Sequence, residues 1–130
     1  RYRNHASYRE YKLKTTFLNV FLLFVLSLHG QWVKANPAEI NHLLHFVEHT
    51  QCQYERNGTQ HNGVDAVAHL KKKYDYYKDD IKTTEDFIEL SATKSTMSGK
   101  AYQVHCPNKK AITSKQWLLD ELAAFRKTQL

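Results

Sequence analysis

Glycine and proline are scarce, four and two in 130 residues. That scarcity excludes collagen-like, low-complexity and disordered classes, whose compositions depend on them. No nucleophile elbow, P-loop, dinucleotide fingerprint or zinc-protease motif is present, so the sequence names no reaction and calls for no cofactor. A broad cationic surface is missing too, although 19 Lys and Arg against 13 Asp and Glu give a formal charge of +6. Residues 1–35 hold six of the basic groups and one acid, while residues 36–130 carry 13 basic and 12 acidic groups and are nearly neutral. A net charge of +1 cannot supply the phosphate neutralisation that nucleic-acid binding requires, and the lysine run Lys71-Lys72-Lys73 is followed closely by Asp75, Asp79 and Asp80.

The longest apolar stretch, within Thr15–Leu28, is shorter than the roughly 18–20 residues of a comfortable membrane span. Lys12 and Lys14 precede it and Val33-Lys34-Ala35 follows, the pattern of a secretory signal cleaved after Ala35. Uncleaved, the same run would be an N-terminal anchor. The chain does not begin with Met, and Arg1–Tyr11 adds nothing a signal needs, which reads as an over-extended start or a fragment. Residues 36–130 are then one periplasmic domain of about 95 residues, with no membrane span after cleavage. Two cysteines in an exported chain, Cys52 and Cys106, favour one disulfide over two buried thiols.

Asn36-Pro37-Ala38-Glu39 is a helix start, and Ile40, Leu43, Leu44 and Val47 recur at helical spacing to about Thr50. Gln51–Arg56 reads as an extended arm ending at the Asn57-Gly58 turn. A second helix spans residues 65–77 with Val64, Val67, Leu70 and Tyr74 on its apolar stripe. Thr84-Glu85-Asp86 caps a third, with Phe87, Ile88, Leu90 and Ala92 inside, and Ser95–Gly99 breaks it. Ala101–Cys106 alternates as a second strand and stops at Pro107-Asn108. Ser114 caps a fourth helix carrying Trp117, Leu118, Leu122 and Phe125. The order predicts an α+β fold: a small, mostly helical single domain with a short two-stranded β element tied by one disulfide.

The ordered series Cys52-Gln53-Tyr54-Glu55-Arg56-Asn57-Gly58, Ala66-x-x-His69-Leu70-x-x-Lys73, Thr84-Glu85-x-Phe87-Ile88, Ser95-x-x-Ser98-Gly99-Lys100-x-Tyr102 and Trp117-Leu118 resembles the YfeK-like family. These are small exported bacterial proteins of uncharacterised function, and the similarity spans most of residues 36–130. The resemblance implies a periplasmic location in a Gram-negative bacterium and supplies no catalytic residues to carry over.

Three candidate chemistries follow from the residues. His69 and Lys73 stand four apart on one helix face, so they can meet a common anion. Arg56 precedes a turn leading back towards that helix, and Ser95, Ser98 and Tyr102 follow the third helix; together the six would line an anion-accepting cleft, with backbone donors from the Ser95–Gly99 break. The plainer alternative pairs Arg56 with Asp65 or Glu85 and makes His69 a hydrogen-bonded structural residue. His42, His45 and His49 share the polar face of the first helix, where the His45/His49 spacing permits joint metal coordination. Ser95, Ser98 and His69 are also the residue types of a small hydrolase. The expected function is a non-catalytic binding module for a partner protein or an anionic envelope ligand, with metal binding and hydrolysis as alternatives. Asn57-Gly58-Thr59 fits a glycosylation acceptor, but its turn chemistry accounts for it in a bacterial exported protein.

Overall fold

The computed structural model describes residues 35–130. The expected signal segment, and with it the cleavage after Ala35, falls almost wholly outside the described residues. Helix α1, Pro37–Glu48, opens as its sequence requires: the Asn36 side chain accepts the Ala38 amide at 2.9 Å, and Pro37 occupies the first turn. Its stripe buries Ile40, Leu43, Leu44 and Val47. Glu39 is buried with them, 6% exposed, and Arg126 holds its two oxygens at 2.8 and 3.0 Å.

Strand β1, Gln53–Arg56, turns back into β2, Thr59–His61, through Asn57 and Gly58, whose φ values are +52° and +82°. A two-residue hairpin loop with two positive φ angles is the turn whose twist matches its strands, and Asn-Gly is the pair that tolerates it. Strand β3, Gln103–His105, lies antiparallel on the other side of β1, and β4, Ile112–Thr113, pairs with β3. The sheet order is β2-β1-β3-β4. The two strands read from the sequence thus form its centre, and two outer ones widen it. Tyr54 and Val104 oppose each other and are buried, while their neighbours Glu55 and His105 meet on the other face, 2.6 Å apart.

Helix α2, Gly63–Tyr77, starts two residues earlier than its periodicity indicates, because the Asn62 side chain accepts the Asp65 amide at 2.8 Å. The expected stripe keeps Val67 and Leu70 but loses its first member. Gly63, Ala66, Val67 and Leu70 are buried, whereas Val64, expected on the stripe, is 60% exposed. Gly63 fills the place Val64 was expected to take: a Cβ there would lie 2.3 Å from the Val47 carbonyl oxygen, so glycine is what lets α2 meet the end of α1.

Helix α3, Thr84–Phe87, widens into a π-helical turn, Ile88–Ala92. Its cap is Thr83, which exchanges hydrogen bonds with Asp86, and not Thr84. Thr84 is buried and donates its hydroxyl proton to Glu39. Likewise Thr113 caps helix α4, Ser114–Thr128, and the expected cap Ser114 is buried, 2.8 Å from the Tyr54 hydroxyl. In both places a tertiary partner claims the hydroxyl that the sequence assigns to capping. Leu118 and Leu122 complete a core that also includes Phe87, Ile88 and Tyr102.

Cys52 and Cys106 form a disulfide between the end of β3 and the residue preceding β1, 54 positions apart. Closing a loop of that length stabilises the fold by roughly 4 kcal/mol through the unfolded chain's lost entropy. Among the described residues no helix is long and apolar enough to cross a membrane.

Candidate functional site

A cavity of ≈ 270 Å³ opens between the β1–β2 hairpin, α2 and the segment between α3 and β3. Arg56, Asn57, His69, Lys73, Ser95, Thr96, Met97 and Tyr102 line it. Five of the six side chains named from the sequence therefore share one wall-to-wall space. Arg56 reaches it from the last residue of β1, next to the tight turn, and His69 and Lys73 come from successive turns of α2. Tyr102 lies just before β3, where the chain has crossed over from α3.

The sixth, Ser98, is exposed, and its hydroxyl donates to Asn57 Oδ1 at 2.6 Å. Ser95 Oγ accepts the Ser98 amide at 3.3 Å, and the amides of Gly99 and Lys100 bond to Ser95 O and Ser98 Oγ. The Ser95 amide in turn bonds to Lys100 O, so the amides of Ser95, Ser98 and Gly99, expected as free donors after the third helix, are consumed in closing the loop. The two serines build the rim, joined across to the hairpin through Asn57. A second hollow of ≈ 350 Å³ adjoins, sharing Lys73, Ser95 and Thr96 and extending along Tyr77, Leu90 and Glu89, whose carboxylate pairs with Lys115 at 2.6 Å.

Charge in the cavity is one-sided. No carboxylate lines it, and Arg56 forms no ion pair with Asp65 or Glu85; Glu85 instead pairs with Arg126 at 2.6 Å. Arg56 Nη2 lies 3.5 Å from His61 Nε2, while Arg56 Nε is buried without a hydrogen-bond partner among the described residues. Lys73 Nζ donates to the Lys94 carbonyl at 2.7 Å and sits 5.2 Å from the centre of the Tyr102 ring. His69 Nε2 is 3.1 Å from the Tyr102 hydroxyl.

Crowding of like charge shows in the titrations. Burial, then Arg56 and Lys73, push the His69 imidazolium down to about 4, so the ring is neutral at physiological pH. Burial first, then Arg56 and Lys94, lower Lys73 from its ordinary value. Tyr102 is raised, chiefly by burial, and keeps its proton as a donor. An arginine and a lysine, a neutral imidazole and a phenol hydroxyl thus surround a space that repels cations.

The nucleophile-and-base geometry of a hydrolase is not formed among the described residues. Ser95 Oγ is engaged with the Ser98 amide, Ser98 Oγ with Asn57, and His69 with Tyr102.

The profile of a family of unknown function, DUF5329, matches residues 34–126. The chain belongs to this family. Its relatives include "Uncharacterized protein YfeK" of Salmonella typhimurium strain LT2, 35% identical over 75 residues that make up 55% of this chain and 62% of that protein. The chain thus matches less than two thirds of that relative's length. No solved structure matches. The YfeK-like resemblance read from the motifs is therefore correct.

Asn57, Thr96 and Met97 were missed as cavity residues. Asn57 carried a turn signal that accounts for its backbone, and nothing in the pattern announced its side chain as the link between hairpin and rim. The helix-one histidines divide. His42 Nε2 lies 2.6 Å from Glu121 Oε1 and its ring stacks on Phe125 at 4.1 Å, while His45 and His49 stack on each other at 4.0 Å on the exposed side.

Proposed function

We propose that this protein is a non-catalytic binding module of the bacterial envelope, exported to the periplasm by a leader that is then removed after Ala35, and that its cavity takes a phosphate or carboxylate group. The observation that carries the reading is an arginine that, among the described residues, has no carboxylate partner and is set with Lys73 in a half-buried space lined by no described acid. Buried or half-buried charge is normally paired, because desolvation without compensation costs several kcal/mol. An anion between Arg56 and Lys73 supplies that compensation, and relieves the repulsion from Arg56 that adds to burial in lowering Lys73 and His69. Neutral His69, bonded to the Tyr102 hydroxyl, closes the remaining wall without adding a second charge.

The adjoining hollow gives the rest of the ligand a place along Tyr77 and Leu90, so the anion is the head of a larger molecule or of a partner's side chain. The disulfide supports an oxidising compartment. The test is calorimetric titration with inorganic phosphate and with acetate. Arg56→Ala and Lys73→Ala each weaken binding about tenfold, the loss of one charge-assisted contact, while the melting temperature stays within a few degrees of wild type. Undiminished binding by both variants, or unfolding of either, defeats the proposal.

A further inference from the structure

His45, Glu48 and His49 occupy the last turn of α1 at i, i+3 and i+4, and their ligand atoms all lie within 4.8 Å of one another. Spacing alone would leave these as three solvated side chains. The second observation is an orientation. His49 Nδ1 is 2.9 Å from the carbonyl oxygen of His45, and a carbonyl can only accept, so Nδ1 carries the proton and Nε2 keeps its lone pair. An imidazole whose other nitrogen donates to a backbone carbonyl is in the state and orientation that metal-binding histidines take. The position adds to this, since the carbonyl end of a helix carries partial negative charge and favours a cation.

From these observations we propose that His45, Glu48 and His49 form a surface site for a divalent transition-metal ion of the zinc class. Two imidazoles and one carboxylate are a donor set for zinc, nickel or copper; calcium and magnesium take oxygen ligands. Three protein ligands on one exposed face leave further coordination positions to water or to a group on another molecule. The site is separate from the anion cavity, and it does not use His42, which Glu121 and Phe125 hold elsewhere. Bound metal ties the last turn of α1 to its preceding turn, so it stabilises the helix end that leads into Cys52.

The test is a zinc chloride titration by calorimetry on the purified protein, with folding of every variant checked by circular dichroism. One equivalent binds to wild type; His45→Ala and His49→Ala weaken it about tenfold or more, Glu48→Gln by a smaller factor, and His42→Ala leaves it unchanged. Histidine ring resonances followed by NMR under the same titration shift at positions 45 and 49. Equal zinc affinity in wild type and the His45→Ala/His49→Ala double variant overturns the proposal. So does a shift confined to His61, His69 or His105, or a loss in His42→Ala as large as in His49→Ala.

Discussion

Replacing His69 by glutamine keeps a hydrogen-bonding group opposite the Tyr102 hydroxyl and removes a titrating ring. In the folded protein burial, Arg56 and Lys73 hold that ring's titration at about 4, whereas an unfolded chain titrates near 6.5. Between those values the unfolded state binds more protons, so the native state loses stability as pH falls through that window and has its full stability above it. The interval corresponds to about 3 kcal/mol in full; because the ring is only half-buried, solvent screening brings the expected effect to about 1–2 kcal/mol. Urea unfolding of wild type and His69→Gln in a phosphate-free buffer, at neutral pH and near pH 4, isolates this contribution, since all other titrating groups are shared. On acidification wild type loses about 1–2 kcal/mol more than the variant. Added phosphate shrinks the difference, because an anion beside the ring favours its protonated form. Parallel pH profiles for the two proteins, or a wild type that gains on the variant in acid, would refute the claim that burial and the neighbouring cations keep His69 neutral.

Two further changes probe the frame that positions the cavity. Arg126→Ala strands the Glu39 carboxylate, 6% exposed, with only the Thr84 hydroxyl; because Arg126 itself is 37% exposed, the expected loss is about 2–3 kcal/mol by urea unfolding at neutral pH, below the full value for a buried pair. Glu39 is held below the usual carboxylate range, first by Arg126, so its contribution is present above that range and lost in acid; the gap between wild type and variant therefore narrows as pH falls through it, and a constant gap speaks against the pairing. Gly63→Ala places a methyl carbon 2.3 Å from the Val47 carbonyl oxygen and 2.7 Å from that of Glu48, forcing α1 and α2 apart. It lowers the melting temperature by the equivalent of about 1–3 kcal/mol, where alanine for glycine in an unobstructed helix would raise it.

The sequence made helix existence, the central strand pair and the disulfide legible, because each rests on a simple signal: the Asn36-Pro37 start, the Asn57-Gly58 turn, an even pair of cysteines. It also brought five cavity residues together, since i,i+4 spacing joins His69 to Lys73 and the turn returns Arg56 to α2. What it hid were choices made by distant partners. Thr84 and Ser114 look like caps, and Glu39 and Tyr54 take them instead, which shifts capping to Thr83 and Thr113. Val64 looks like core, but Gly63 alone fits against α1. Strands β2 and β4 span three and two residues, too few for alternation to register, and pairing with β1 and β3 holds them. The Glu39–Arg126 pair joins residues 87 positions apart and has no local signature.

The central claim, that the Arg56–Lys73 cavity receives an anion, is tested most directly by NMR titration with inorganic phosphate, following the Arg56 side-chain Nε–H and the backbone amides around the cavity. The account predicts saturable shifts at Arg56, Asn57, Lys73, Thr96 and Tyr102, and their loss in Arg56→Ala with the remaining spectrum intact. Shifts that fail to saturate, or that spread over the exposed lysines of α2 while Arg56 stays still, would contradict it.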